Sequence, residues 1–187
     1  MDSRLPPAEI VASLLAATTV IISLPPLNLP PWAIFISWAG TFAAGGPNAS
    51  ILRRIWPAMP VGSTFAMVIS LAFDNASHRY SGASLVIAQM TILFLLNTCL
   101  MCTARVPIFN FIPGMFFGFA SYFATLFGGF GPVPHNPYVA WLAVVPMNAL
   151  GPVYAWMTHK LSRPHTFQNK TGLPQSRKAG NASTVPD

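Results

Sequence analysis

Charged residues are scarce in this sequence. They make up 7% of its 187 residues, whereas a soluble domain carries about 25%. Apolar residues account for 53% of the chain, and they fall in runs of about 18 or more, which a soluble core does not need. The chain therefore has too little charge to cover a water-facing surface. This excludes a soluble globular protein and predicts an integral membrane protein of all-α class.

Charge is also missing from the middle of the apolar runs, where the sequence has no Asp, Glu, Lys, Arg or His. Carriers coupled to protons or ions usually keep such groups inside the membrane despite their cost. Cysteine is rare as well: Cys99 and Cys102 share one apolar run and provide neither a disulfide framework nor a metal site. The sequence predicts no cofactor and no metal. It disfavours coupled transport and leaves either passive conduction of an uncharged solute or no conduction.

Six apolar segments predict a polytopic bundle of about six transmembrane helices. Prolines, glycines and basic residues bound them, at residues 7–24, 31–46, 55–73, 84–102, 108–129 and 138–158. A short polar turn is expected at residues 74–80. We expect one transmembrane domain at residues 1–160 and a basic, disordered cytoplasmic tail at residues 161–187.

The basic residues indicate the orientation. Six spans put nine of the ten Lys and Arg residues on one side and Arg79 on the other. Loops on the cytoplasmic side carry the excess of Lys and Arg. We therefore predict a multi-pass protein of the plasma or inner membrane, with both termini in the cytoplasm.

Two short, glycine-interrupted segments occupy matching places in the two halves. Residues 37–44 align with residues 118–125, and each copy continues to a Gly-Gly pair. Such pairs of segments are typical of substrate paths in transporters built from inverted repeats. With three spans in each half, the two segments would be antiparallel, as in a 3+3 inverted repeat.

The candidate path between these segments combines aromatic rings with hydroxyl groups, because pore width and lining hydrogen bonds decide which solute passes. The candidate lining residues are Ser37, Trp38, Thr41, Phe42, Gly118, Phe119, Ser121, Tyr122, Phe123 and Thr125. Small residues four apart in the same segments also fit close helix packing. Core packing and lipid contact therefore stay open as alternatives for this set. Gln89, Asn97 and Asn148 are uncharged polar residues at depth, either bonded between helices or lining a pore.

Two histidines, His78 and His135, fall in loops on the outer side. Histidine titrates in the physiological pH range, so a pH-sensitive gate is one interpretation, and an incidental position in an exposed loop is the other. Together with Asp74 they are also the only outer acid–base candidates. An enzyme is therefore not favoured.

Two stretches of the sequence resemble a known family. Residues 32–46 and the pattern Phe111-Ile112-Pro113-Gly114-Met115-Phe116-Phe117-Gly118 resemble the YcdZ-like bacterial inner-membrane proteins, over about residues 7–160. The resemblance implies a multi-pass membrane domain of unknown function. It implies no catalytic residue and no substrate.

These observations favour a channel or facilitator for a small neutral solute. The alternative is a membrane-embedded enzyme or biosynthetic-pathway accessory protein that acts on a lipid-like substrate. A purely structural membrane protein is a third possibility. The expected partners are the lipid bilayer, further copies of the chain in a homo-oligomer and an unknown small solute, but no nucleic acid.

Overall fold

The computed structural model describes residues 5–162 and shows an all-helical bundle within them. Its six helices are α1 (Ala8–Ile22), α2 (Pro31–Ala43), α3 (Ala49–Ser77), α4 (Gly82–Thr103), α5 (Ile112–Gly128) and α6 (Pro137–Leu161). A short 3₁₀ turn, Pro107–Phe109, precedes α5. Three helices, α3, α4 and α6, are long and apolar enough to cross a membrane, and α1 and α5 are shorter apolar helices. The predicted helical membrane bundle is confirmed. The predicted tail lies outside the described residues from residue 163 onward.

Local signals explain where the helices begin and end. Pro31 opens α2, where proline suits the first turn because that N–H has no partner in any helix. The side chains of Asn48 and Asn136 cap α3 and α6 by accepting hydrogen bonds from backbone N–H groups in the first turn. Gly129, in the left-handed region at φ 69°, ends α5.

The third helix is longer than the sequence predicts. It begins six residues before the expected start at residue 55, because Asn48 caps it at Ala49. It also continues through most of the expected polar turn. There the Ser77 hydroxyl and the His78 ring each donate a hydrogen bond to the Asp74 carbonyl, at 2.7 Å in both cases. These bonds satisfy a carbonyl in the last turn, so the polar residues extend the helix.

Four helices form the core of the bundle and two lie at its edge. The closest packing is between α3 and α5 and between α2 and α6. Gly62 lies against the Met115 carbonyl, and Gly118 lies against the Met59 carbonyl. A Cβ at either glycine would overlap those backbone atoms, so the two helices come together as small residues allow in lipid. By contrast, α1 packs mainly on α6, and α4 packs mainly on α3.

Contacts along the core helices give their relative directions. On α2 and α5, Trp32 meets Thr125 and Gly40 meets Phe117, so these two helices are antiparallel. On α3 and α6, the Trp141 indole bonds to Thr64 at 3.0 Å and the Trp56 indole bonds to the Ala149 carbonyl at 3.1 Å. These helices are antiparallel too.

Candidate functional site

All the predicted lining residues belong to α2 and α5, and the crossing of these two helices lies at the centre of the bundle. Near one end of the crossing, the Trp32 indole N–H donates to Thr125 Oγ1 at 3.2 Å. Near the other end, the Phe117 ring covers Gly40 so closely that a Cβ there would overlap it. The crossing is therefore polar near one end and closed by an aromatic ring near the other.

The central hydroxyl groups of the two helices are buried, and each one donates a hydrogen bond. Ser37 and Thr41 are fully buried on α2 and donate to carbonyls of their own helix. Ser121 and Thr125 are fully buried on α5, and Thr125 donates to the Ser121 carbonyl at 2.7 Å. Hydroxyls satisfied in this way cost little to bury in an apolar bundle.

The chain of hydrogen bonds extends from α5 to α6. It ends at Asn148, whose side-chain N–H group has no acceptor among the described residues. Ser121 Oγ donates to Asn148 Oδ1 at 3.0 Å, and Asn148 is 1% exposed. Among the described residues, Asn148 Nδ2 has no hydrogen-bond partner. A buried polar group normally finds a partner because leaving it without one costs about 1–3 kcal/mol. Exchanging the two amide atoms would only transfer the deficit to the oxygen.

This polar chain links three helices, and it reaches mid-depth at its Ser121–Asn148 end. It runs from Trp32 on α2, through Thr125 and Ser121 on α5, to Asn148 on α6. Ser121 and Asn148 lie near the middle of their helices. An unmet amide N–H here could bind the oxygen of a small solute or of water.

Four of the predicted lining residues on α5 pack towards α3 and α6. Tyr122 is fully buried, and its hydroxyl meets Ser70 at 2.9 Å and donates to the Pro137 carbonyl at 3.2 Å. Phe119 and Phe123 pack edge to face on each other, with ring centroids 5.0 Å apart, beside the same apolar cluster. Gly118 faces the α3 backbone. These residues hold α5 in place.

The remaining two, Trp38 and Phe42, face away from the crossing. They line an outer groove of about 450 Å³ between α1 and α2, together with Ala12, Ser13, Ala16, Phe35 and Ala39. Phe42 is 41% exposed, and Trp38 packs on Tyr154 with ring centroids 5.4 Å apart. The structure thus gathers Ser37, Thr41, Ser121 and Thr125 at the centre and separates Trp38 and Phe42 from them.

Each of the two predicted gate histidines forms a hydrogen bond to a carbonyl at the end of the helix that precedes it in the chain. His78 donates to the Asp74 carbonyl at the end of α3. His135, at φ 59°, donates from Nδ1 to the Leu126 carbonyl at 3.0 Å. Both bonds satisfy carbonyls in the last turn of a helix, which is a structural role. Within the described residues, no group of three His, Cys, Asp or Glu side chains could hold a metal ion.

Two contacts of this site cannot be read from the sequence. The sequence marks Asn148 as a polar residue at depth, but no spacing rule links it with Ser121 on another helix. Phe117 stands within the pattern Phe111–Gly118, which does not show that its ring covers Gly40. Gly40 was the available signal, because a glycine inside an apolar helix often marks a close approach.

Comparison with known proteins yields one match. Residues 9–163 match the model of a family described as a protein of unknown function, DUF1097. No curated protein and no solved structure matches the chain. The match does not carry the name of the YcdZ-like family, so that resemblance stays a prediction. The matched segment covers the bundle except for the first residue of α1, and the chain therefore belongs to the DUF1097 family.

Proposed function

We propose that this multi-pass membrane protein is a channel or facilitator for a small neutral solute. The observation that carries the proposal is the unmet Nδ2 donor of Asn148 at the end of the polar chain. A solute oxygen passing through the centre of the bundle would accept this hydrogen bond. A hydrogen bond to a lining group is what selects a neutral solute in a narrow path.

The distribution of charge supports a neutral solute. Along the described helices, every charged side chain lies in the first or last two turns, as Arg54 and Asp74 do on α3. Carriers of charged solutes or coupling ions usually keep ionisable side chains near mid-depth. The polar chain offers only uncharged groups there, the Ser121 hydroxyl and the Asn148 amide.

We infer that the path is organised by an inverted repeat of the two halves. Five buried positions of α2 recur on α5 with the same spacing: Ala33, Ile34, Ser37, Gly40 and Thr41 correspond to Gly114, Met115, Gly118, Ser121 and Tyr122. The helices themselves are antiparallel, as a pseudo-twofold axis in the membrane plane requires.

The helices α3 and α6 support the same inference through a sequence pattern. Both contain Pro-x₄-Gly-x₂-aromatic-Ala, from Pro57 to Ala66 and from Pro146 to Ala155. Gly62 packs against the Met115 carbonyl of α5, and Gly151 packs against Ser37 and Ile34 of α2. Exchanging the halves therefore exchanges the two closest helix pairs of the bundle.

In this structure the Phe117 ring covers Gly40, which closes the proposed path at that point. We propose that displacement of this ring opens a route past Ser121 and Asn148. The Phe117 side chain is half-buried, and rotation about its χ angles would move the ring off Gly40.

Flux into liposomes tests the proposal. Purified protein in proteoliposomes should admit urea or glycerol faster than protein-free liposomes, measured by stopped-flow light scattering. Asn148→Leu removes the amide at similar volume and should reduce that flux towards the protein-free rate. Thr98→Val is the matched control, because the Thr98 hydroxyl is exposed on α4 and bonded within its own helix. Equal flux in wild type and Asn148→Leu would refute the role of the amide.

A further inference from the structure

Two side-chain amides on α4 lie at membrane depth and have no hydrogen-bond partner among the described residues. Gln89 and Asn97 are half-buried in the middle of a 22-residue helix. At 1.5 Å per residue, both lie within about 7 Å of the helix centre, well inside a hydrocarbon core about 30 Å thick. Neither amide forms a hydrogen bond within the part of the chain that the structure describes.

The other polar side chains of this helix are satisfied. Thr91 donates to the Ile87 carbonyl at 2.9 Å, and Thr98 donates to the Phe94 carbonyl at 2.7 Å. A primary amide has two donors and an acceptor, more than its own helix can satisfy. In lipid, without water, such a group must find a partner on another helix.

The helices described for this protomer do not supply a hydrogen-bond partner for either amide of α4. The helix packs mainly on α3, and Leu100 is its one buried residue. Its outer side exposes large apolar side chains such as Met90 and Phe94, at 66% and 69%. None of the residues that the structure describes therefore covers the side of α4 turned away from α3.

Gln89 and Asn97 belong to one ridge of the helix surface. They lie eight residues apart, two steps of four, with Leu93 between them. Rows of residues four apart form the ridges by which helices most often interlock. At about 100° per residue the middle of this ridge lies on the flank of α4, between the buried Leu100 and the outer side that Phe94 occupies. Leu93 is 41% exposed, so the middle of the ridge is accessible from outside the described bundle.

We propose that this ridge of α4 is the interface of a homodimer, with a second copy of the chain as its occupant. Two protomers in one membrane have the same topology, so their α4 helices are parallel across a twofold axis along the membrane normal. Gln89 then faces the partner's Gln89 and Asn97 faces the partner's Asn97, each pair at one depth. An amide both donates and accepts, so each pair is self-complementary.

Removing the amides tests the interface. We expect Gln89→Leu/Asn97→Leu to fold, since neither amide is bonded within the protomer, and to raise the dimer dissociation constant about tenfold or more. Photobleaching step counts of labelled full-length protein, in vesicles of phosphatidylethanolamine and phosphatidylglycerol, measure this directly. Thr91→Val/Thr98→Val is the matched control and should dimerise like wild type. A wild type that is monomeric at every protein-to-lipid ratio, or a double Leu variant that dimerises equally well, overturns the proposal.

Disulfide crosslinking locates the contact independently of folding in the double variant. The chain has two cysteines, both exposed on α4, so Cys99→Ala/Cys102→Ala is free of thiols. In that background, Leu93→Cys should give a crosslinked dimer on oxidation. Phe94→Cys lies about 100° further round the helix at nearly the same depth and should crosslink at least several-fold less. Equal or preferential crosslinking of Phe94→Cys would place the contact elsewhere and refute this interface.

Discussion

The Ser121 hydroxyl on α5 donates to the Asn148 amide oxygen on α6 at 3.0 Å, and both side chains are buried. This is a direct side-chain bond between two helices at the centre of the bundle. It fixes the orientation of the amide and leaves its N–H group as the one polar donor without a partner among the buried side chains described.

Loss of that bond should weaken the bundle modestly. Ser121→Ala leaves the Asn148 oxygen without its donor, and interhelical bonds of this kind contribute about 1 kcal/mol in membrane bundles. We expect a free energy of unfolding lower by about that amount, measured by steric trapping in bicelles. Ser84→Ala is the control, because Ser84 is exposed on α4 and bonds only to the neighbouring Ser81 carbonyl. Equal stability of Ser121→Ala and wild type would mean that the bond contributes nothing.

The contact between α3 and α5 should tolerate no added side chain at its glycines. Gly118→Val places a branched side chain where the Met59 carbonyl lies, and overpacking of this kind costs about 1–3 kcal/mol or more. We expect a lower thermal midpoint of unfolding in detergent. Ala120→Val, two residues along the same helix but exposed, should stay within a degree or two of wild type. A similar midpoint for both variants would show that the helices separate more easily than this packing implies.

The orientation of the bundle can be read by labelling. In the thiol-free background, Ser81→Cys and Asn110→Cys place one exposed thiol between α3 and α4 and one between α4 and α5. With both termini in the cytoplasm, an impermeant maleimide should label Ser81→Cys in intact cells and Asn110→Cys only after permeabilisation. The reverse pattern would invert the orientation, and labelling of both from outside would contradict a spanning α4.

Much of the fold was predictable from the sequence, because prolines, asparagine caps and glycines mark the helix ends. The six helices and the opposite directions of α2 and α5 follow from that punctuation and from an even number of spans. The start of α3 was missed because the cap at Asn48 lies before the apolar run that defined the predicted span. The pattern that begins at Pro57 and again at Pro146 is present in the sequence, but only the structure shows that its two glycines make corresponding helix contacts.

The inward face of each helix was harder to predict, for a physical reason. Lipid is as apolar as a protein core, so hydrophobicity does not tell Phe42, which is exposed in the outer groove, from Ile34, which is fully buried in the bundle. Small and hydroxyl residues are the better guide. Ser37, Thr41 and Ser121 are all at the centre, whereas the aromatic candidates are divided between the helix contacts and the outer groove.

Flux through proteoliposomes with two opposing variants is the most direct test of the proposed path. Phe117→Ala removes the ring that covers Gly40, and Asn148→Leu removes the unmet donor beside Ser121. We predict that urea or glycerol flux rises in Phe117→Ala and falls in Asn148→Leu, while Phe127→Ala, exposed on the same helix as Phe117, matches wild type. Flux at the protein-free rate in wild type and in Phe117→Ala alike would contradict a path through the centre of this bundle.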